Sequence, residues 1–587
     1  MATNIFTKVR IPKVGRNKFD LTHQVKLTTE FGRLTPCACI EVVPGDTFKI
    51  STDLLCRMMP LATPVMHNFE IYTHFFFVPQ RLVWSEWQNF ITGGKDGTLA
   101  PQIPHLVIPT KDAKTAQPLF AASSLANYIG YPVIDSNKVG ADVILDARPF
   151  RAYQLIYNEY YRDENQTNEI QIHADWSGDK QFERLATGDY VTDMLSLRQR
   201  CWRKDYFTSA LPWPEQGAQG MRIPVKLDSE IIPPEGSDPE VKLAFLQDGV
   251  SQAVGGTKLY YYNETDSNWQ LVDGADTLTL KTNDDGSIYA VDNNSGIQYM
   301  KLAFDVMGNS VVSTTTLDEY IRQCRVNSTL ADNSTTVNDF RRAVAAQKWL
   351  EAAARGGHRY IESMLSHFGV KSSDARLQRP EYLGGGKTTI NIGDVLQTSQ
   401  TTQDSPQGQY AGIGAAAANI KQFKSYFEEH GYIIGIVSVM PRADYFQGIP
   451  RMFLRSDKFD YFWPEFSHIG EQPIYNSELY YNPSLGVDRN TFGYTPRYAE
   501  YKYIPNRVTG GFSDIRDELL TRWHDARMFD KAPSLNQEFL EVKTHSDSGD
   551  LNRIFTYGAP DTDHIMLEMQ HNVLALRKMP KFGTPLI

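Results

Sequence analysis

The sequence predicts a mainly β protein, an antiparallel Greek-key sandwich with long inter-strand insertions that contain several helices. Three observations carry this. Strand-like text is concentrated near the two ends of the 587-residue chain. The middle holds helical and irregular text, without the regular strand–helix alternation of a doubly wound α/β sheet. Along the first strands the pattern changes from one dry face to two, as in a sheet that becomes covered on both sides.

The elements follow in order. Residues 1–30 form a basic arm, and within residues 1–26 Lys8, Arg10, Lys13, Arg16, Lys18 and Lys26 stand against Asp20. Spaced cations on an arm suit phosphate contacts, which need charge and reach but no sequence readout. A solvated terminus has the same composition. From Gly32 the text reads as a strand, "GRLTPCACIEVV", a turn at Pro44, Gly45 and Asp46, and a second strand, "TFKISTDLLCRM". Phe48, Ile50 and Thr52 alternate there with Thr47, Lys49 and Ser51, the period of a half-buried strand. A third strand, "NFEIYTHFFFV", stops at Pro79.

Tyr72–Trp87, "YTHFFFVPQRLVWSEW", holds six aromatic residues. Phe75, Phe76 and Phe77 make both strand faces apolar, so they, with Trp84 and Trp87, read as sandwich core or subunit contact before they read as a base-stacking platform. In "RPFRAYQLIYNEYYRDEN" the residues Tyr153, Ile156, Tyr157 and Tyr160 recur at helical spacing and predict a helix lying against the sheet. Two more helices fit Asp339–Ala354, opened by Thr336 as a capping box, and Tyr360–Phe368, closed by Gly369. Strands resume in "HGYIIGIVSVM" and finish in "DHIMLEMQHNVLALRKM".

Charge divides the chain further. The formal net charge is −10. Residues 221–320 contain sixteen acidic and six basic side chains, so this segment carries the whole excess. Its short strands, with a hairpin tip at Asp285 and Gly286, predict a β-rich excursion into solvent. The organisation expected is therefore the arm (1–30), the first part of the sandwich with a helical insertion (31–220), the acidic insertion (221–320), and helices with the remaining strands (321–587).

Chemical motifs are few. "LGGGKTT" fails as a phosphate loop because Glu381 stands where the first glycine is needed, and "GIGAAA" at Gly412 lacks a preceding buried strand. No HExxH, GxSxG or spaced Cys/His cluster occurs. Cys37 and Cys39 have the wrong spacing for a CxxC pair, and His358 and His367 read as ordinary helix histidines. Neither cofactor, metal nor catalytic residue is expected. One enzymatic alternative stands: in "RSDKFDYFWPEF" Asp457, Asp460 and Glu465 lie among Phe459, Tyr461, Phe462 and Trp463, as in a carbohydrate-binding or glycoside-hydrolase cleft with paired carboxylates. The same text suits an aromatic protein interface.

Long words in fixed order carry a resemblance. They are "PGDTF" at Pro44, "THFFFVPQRLVW" at Thr73, "PFRAYQLIYNEYYRDEN" at Pro149 and "DYFTSALPWPEQG" at Asp205. Further on come "SHFGVKSSDARLQRPEYLGGG" at Ser366, "YFWPEFSHIGEQ" at Tyr461, "RYAEYKYIPNRVTG" at Arg497 and "MPKFGTP" at Met579. Together they resemble the major capsid proteins of the microviruses, small icosahedral phages, in their gokushovirus-like branch. The resemblance implies an eight-stranded antiparallel jelly roll and a T=1 shell of sixty copies around circular single-stranded DNA. It implies as partners the chain itself, the genome, a small basic DNA-binding protein, a pilot protein, an internal scaffold and a host surface receptor, without membrane insertion. Assembly in the host cytoplasm, residence in the virion and a three-fold protrusion at 221–320 are further expectations. Lys8, Arg10, Lys13, Arg16 and Lys18 are then expected to face inward onto DNA, and Phe75, Phe76, Phe77, Trp84, Trp87 and Trp463 to serve core or subunit contact.

Overall fold

The computed structural model describes residues 15–112, 116–183, 188–215, 337–357, 359–396, 410–484, 486–516, 518–546, 549–557 and 562–582, together with short strands between 227 and 330. Nine strands form its centre: β1 (Asn17–Asp20), β2 (His23–Thr29), β3 (Thr35–Val42), β4 (Thr47–Met58), β5 (Phe69–Pro79), β6 (Glu381–Leu396), β7 (Tyr410–Tyr426), β8 (Gly431–Pro441) and β9 (Ile565–Arg577). Hydrogen bonding orders them β1-β9-β4-β7-β6-β5-β8-β3, with β2 beside β1 on the same edge of β9. Every pairing is antiparallel.

That order is the Greek-key exchange of a jelly roll. Leaving β1 aside, the first, eighth, third and sixth of eight strands lie together as one half (β2-β9-β4-β7), and the second, seventh, fourth and fifth as the other (β3-β8-β5-β6). The last strand returns beside the first, Leu27 opposite Leu567. β6 and β7 serve both halves. Glu381–Ile390 pairs with β5, residues 391–396 pair with the start of β7, and Ala415–Tyr426 pairs with β4.

The core lies between the halves. Leu54, Cys56, Phe69, Ile71, Val437 and Leu567 pack at one end, and Phe48, Ile50, Phe75, Phe77, Ile433 and Val573 at the other. β4 from Phe48 onward and β9 bury alternate residues. β8 is buried at all 11 positions because its outer face is covered too. Its cover is the connection between β5 and β6, where helix α1 (Ala147–Ile156) sets Phe150, Tyr153 and Ile156 on Phe76, Ile434 and Ile436. One half of the sandwich is therefore roofed by helix, and the other presents a bare face.

Helix α2 (Val337–Gly356) is followed by α3 (Tyr360–Phe368), which ends at Gly369 in the left-handed region, φ +68°. Thr336 and the hairpin tip at Asp285 and Gly286 lie outside the described residues. Met221–Ala346 is a second compact unit. It holds a four-stranded sheet (Lys258–Asn263, Asn268–Leu271, Leu302–Asp305, Val311–Ser313), a three-stranded sheet that includes the hairpin Leu278–Thr282 with Ile288–Asp292, and a pair, Leu227–Ile232 with Arg325–Leu330.

Candidate interaction surfaces

Two surfaces of the first unit are built for contact. The first is the bare sheet face. Strand alternation sends Lys26 from β2, Lys49 and Arg57 from β4, and Lys421 and Lys424 from β7 to this side, beside Lys18 of β1. The Arg16 guanidinium joins them, 5.4 Å over the ring of Tyr426. Among the described strand residues, Asp20, Asp53 and Glu568 oppose these seven cations on the same face. A surplus of positive charge here contrasts with the net −10 of the chain. Lys26, Lys49, Arg57, Lys421 and Lys424 have no ion-pair partner among the described residues.

Between the cations runs a ladder of amides. Asn419 and Asn572 donate to the two oxygens of Asp53, at 2.5 and 2.8 Å, Gln570 donates to Asn572 at 3.0 Å, and Gln24 to Gln570 at 3.4 Å. Of the predicted arm, Arg16 and Lys18 are exposed on this face, whereas Lys8, Arg10 and Lys13 lie outside the described residues.

The second surface is an aromatic ridge in the connection between β8 and β9. Phe453, Phe459, Tyr461, Phe462, Trp463 and Ile504 are all exposed, Ile504 by 85% and Trp463 by 46%. Ring and cation contacts join Tyr461 and Phe462 to Tyr498 and Tyr501. Phe462 meets Tyr498 at 5.0 Å and Tyr501 at 6.2 Å, while the Arg455 guanidinium lies 4.9 Å from the Tyr461 ring and 4.7 Å from that of Tyr501. Trp463 donates its indole N–H to the Lys458 carbonyl at 2.8 Å, and Tyr498 accepts the Trp463 amide at 3.2 Å. Beneath, Arg451 pairs with Glu478 at 2.8 Å. A monomer gains nothing by holding large apolar groups rigidly in water, which is how protein interfaces are recognised.

The carbohydrate alternative finds no support here. The Asp460 carboxylate accepts the amides of Ser456 and Asp457 at 2.8 and 3.0 Å, which hold it below the usual carboxylate range, whereas a glycosidase acid must be raised. Asp457 accepts from the amide of its neighbour Lys458 at 2.6 Å and so caps a short turn, and Glu465 is exposed.

The remaining predicted aromatics lie inside. Phe75 and Phe77 point between the halves, against Phe423 at 5.4 Å and Phe427 at 4.6 Å. Phe76 points the other way, 4.7 Å from Tyr160 in the segment that continues α1. Trp84 is fully buried and donates to Ser177 at 2.9 Å, while Trp87 is half-buried beside His430. Among the described residues there is no metal-binding group of His, Cys, Asp or Glu, and no helix long and apolar enough to cross a membrane.

The basic face was missed by sequence reasoning because it draws one or two cations from each of four strands up to about 410 positions apart; only the alternation within each strand marks them. The ridge was half visible, since Phe459–Trp463 is a run, but Tyr498, Tyr501 and Ile504 join it only through the fold.

Comparison with known proteins agrees along the whole chain. The family described as "Capsid protein (F protein)" matches residues 7–587. Capsid protein VP1 of Chlamydia phage 1 is 33% identical over 608 residues, spanning 99% of this chain and 97% of the relative. VP1 of Bdellovibrio phage phiMH2K is 32% identical, spanning 98% and 96%, and VP1 of Spiroplasma virus 4 is 28% identical, spanning 97% and 95%. The chain belongs to the capsid protein (F protein) family, and the family and its named relatives give it a structural rather than catalytic role.

Proposed function

We propose that this chain is the major capsid subunit of a phage, sixty copies closing a T=1 icosahedral shell around circular single-stranded DNA. The observation that carries the reading is the aromatic ridge from Phe453 to Ile504, apolar surface that a single subunit leaves in water. Large anchors of this kind supply most of the energy of a protein contact. The test is electron microscopy of the chain expressed with its neighbouring genes. Uniform icosahedral particles support the reading; monomers or small oligomers in the presence of those partners defeat it.

Electrostatics sets the demand for partners. Sixty subunits at −10 each carry roughly 600 net negative charges, in addition to those of the genome. Packaging then needs cations or a small basic DNA-binding protein, alongside the arm residues Lys8, Arg10, Lys13, Arg16 and Lys18 facing inward. Changing these five to Ser lowers packaged DNA while shells still form; normal DNA content in that variant refutes the arm.

Within the same reading, 221–320 forms the three-fold protrusion and meets the host receptor. Its acidity and hairpin-rich strands support an outward position. Unchanged adsorption of particles lacking residues 228–310 sinks that assignment. A pilot protein and an internal scaffold complete the proposed partners, with assembly in the host cytoplasm and residence in the virion.

A further inference from the structure

We propose that a cavity at one end of the bare sheet face seats a single nucleotide of single-stranded DNA. The inference rests on the shell reading and gives this face its ligand. The cavity measures about 630 Å³ and is framed by Lys26 of β2, Glu568 of β9 and Arg57 of β4, with Asn127 and Tyr128 closing one side.

Register fixes the layout. Lys26 stands opposite Glu568, and Arg57 opposite Met566, one rung further along the same face. The two cations are thus two strands and two residues apart, about 10 Å across the sheet and about 7 Å along it. Their side chains reach inward from the two sides to grip the phosphates flanking one nucleotide. Between them Glu568 offers an acceptor for an exocyclic base amine, the pairing that carboxylates make with cytosine.

Tyr128 supplies the stacking surface. Its hydroxyl donates to the Thr28 carbonyl at 2.7 Å, and its partly buried ring lines the cavity with one side packed against the sandwich core. Asn127, which also lines the cavity, gives its side-chain N–H to the Tyr131 carbonyl at 3.2 Å. A cationic floor beside one aromatic ring is the recurring construction of single-strand binding grooves.

A second copy of the chain is the competing occupant. The composition speaks against it: lysine is depleted from the cores of protein interfaces, and the aromatic anchors of this chain are on the ridge instead. A surplus of cations on an otherwise acidic chain complements a polyphosphate.

The test uses the full-length subunit and a fluorescein-labelled oligodeoxycytidine of about 12 nucleotides, followed by anisotropy across a salt series. In Lys26→Ser/Arg57→Ser the slope of log affinity against log salt falls by about 1.4, the value for two lost phosphate contacts on a single strand. Tyr128→Leu lowers affinity about tenfold with the slope unchanged, and Tyr128→Phe, which keeps the ring, binds like wild type. Wild-type affinity and slope in both Lys26→Ser/Arg57→Ser and Tyr128→Leu overturn the proposal. So does a double variant that binds the oligonucleotide normally but no longer forms particles, because the face is then a contact between copies. Failure of the wild-type chain to form particles strikes the shell reading alone and leaves the oligonucleotide result standing.

Discussion

A methyl group placed on Gly448 falls 1.9 Å from the carbonyl oxygen of Glu478, so the two backbones touch with no room for a side chain. The Glu478 carboxylate is fixed in turn by Arg451 at 2.8 Å, the Tyr206 hydroxyl at 2.8 Å and the Tyr475 amide at 2.9 Å. Burial alone pushes its pKa upward, and these partners oppose that. Gly448→Ala is expected to destabilise the subunit by about 3 kcal/mol through forced displacement of backbone. Glu478→Ala, which takes its nearest carboxylate from the Arg451 guanidinium and leaves it the Pro473 carbonyl at 2.6 Å and Glu500 at 3.9 Å, costs about 2–3 kcal/mol. Urea denaturation checks both, and a loss below about 1 kcal/mol in either contradicts the packing described.

The ridge makes a separable prediction. Phe453 and Ile504 are 65% and 85% exposed, so Phe453→Asp with Ile504→Asp shifts subunit stability by no more than about 0.5 kcal/mol per site. Particle yield, measured by sedimentation of the co-expressed products, falls at least tenfold. Full yield from the double variant removes the ridge as a contact between copies.

His571 gives the protein an acid limit. Buried between the halves, it donates from Nε2 to the Cys37 carbonyl at 3.0 Å and accepts the Thr52 hydroxyl at Nδ1 at 2.9 Å, the neutral tautomer these partners select. Burial lowers its pKa to about 4, against about 6.5 in the unfolded chain. The folded state therefore binds fewer protons in that window. The stability it contributes is full above pH 6.5 and is lost as pH falls toward 4, by about 3 kcal/mol. His571→Gln flattens this limb in thermal unfolding measured from pH 7 to 4; an unchanged slope shows that another group governs it.

Asp525 acts with the opposite sign. Fully buried near Arg553, it has a pKa raised by desolvation to about 6. Its contribution is present below the unfolded carboxylate pKa of about 4 and declines as pH rises through 6. Asp525→Asn is expected to remove that decline, so that stability rises more steeply from pH 4 to 7 than in wild type, where Asp525 offsets the opposite trend of His571.

Thiol chemistry offers a rapid check. Cys37, Cys39, Cys56 and Cys201 are free, and burial pushes each thiol up to about 12. None is thiolate near neutrality, so iodoacetamide at pH 8 leaves these four unmodified until denaturant is added. Rapid native labelling of Cys37 or Cys56, followed by peptide mapping, contradicts the closed sandwich.

How far the sequence speaks depends on which residues fill each strand. β4 was legible from Thr47 to Met58 because Phe48, Ile50 and Thr52 alternate with polar partners, and α3 because Ile361, Met364, Leu365 and Phe368 keep one face. β6 and β7 were not read as strands. Gly384–Gly386 and Ala415–Ala418 have low intrinsic strand preference, and both runs were weighed as nucleotide motifs instead. Space explains the composition: a Cβ on Gly385 would lie 2.2 Å from the Thr73 carbonyl, and one on Gly414 2.5 Å from the Met58 sulfur. Strands chosen for close approach carry no hydrophobic period. The ridge and the basic face are legible only as faces of the finished fold.

β6 and β7 have a mechanical consequence. Each runs unbroken from one half of the sandwich into the other, so the halves are joined along one side by covalent chain and a continuous backbone ladder. Outward load on the wall, such as pressure from a confined polymer, is then borne as tension along the strands of a folded page. Prying the leaves apart demands breaking that crease, a far stiffer response than two independent sheets sliding on their side chains would give.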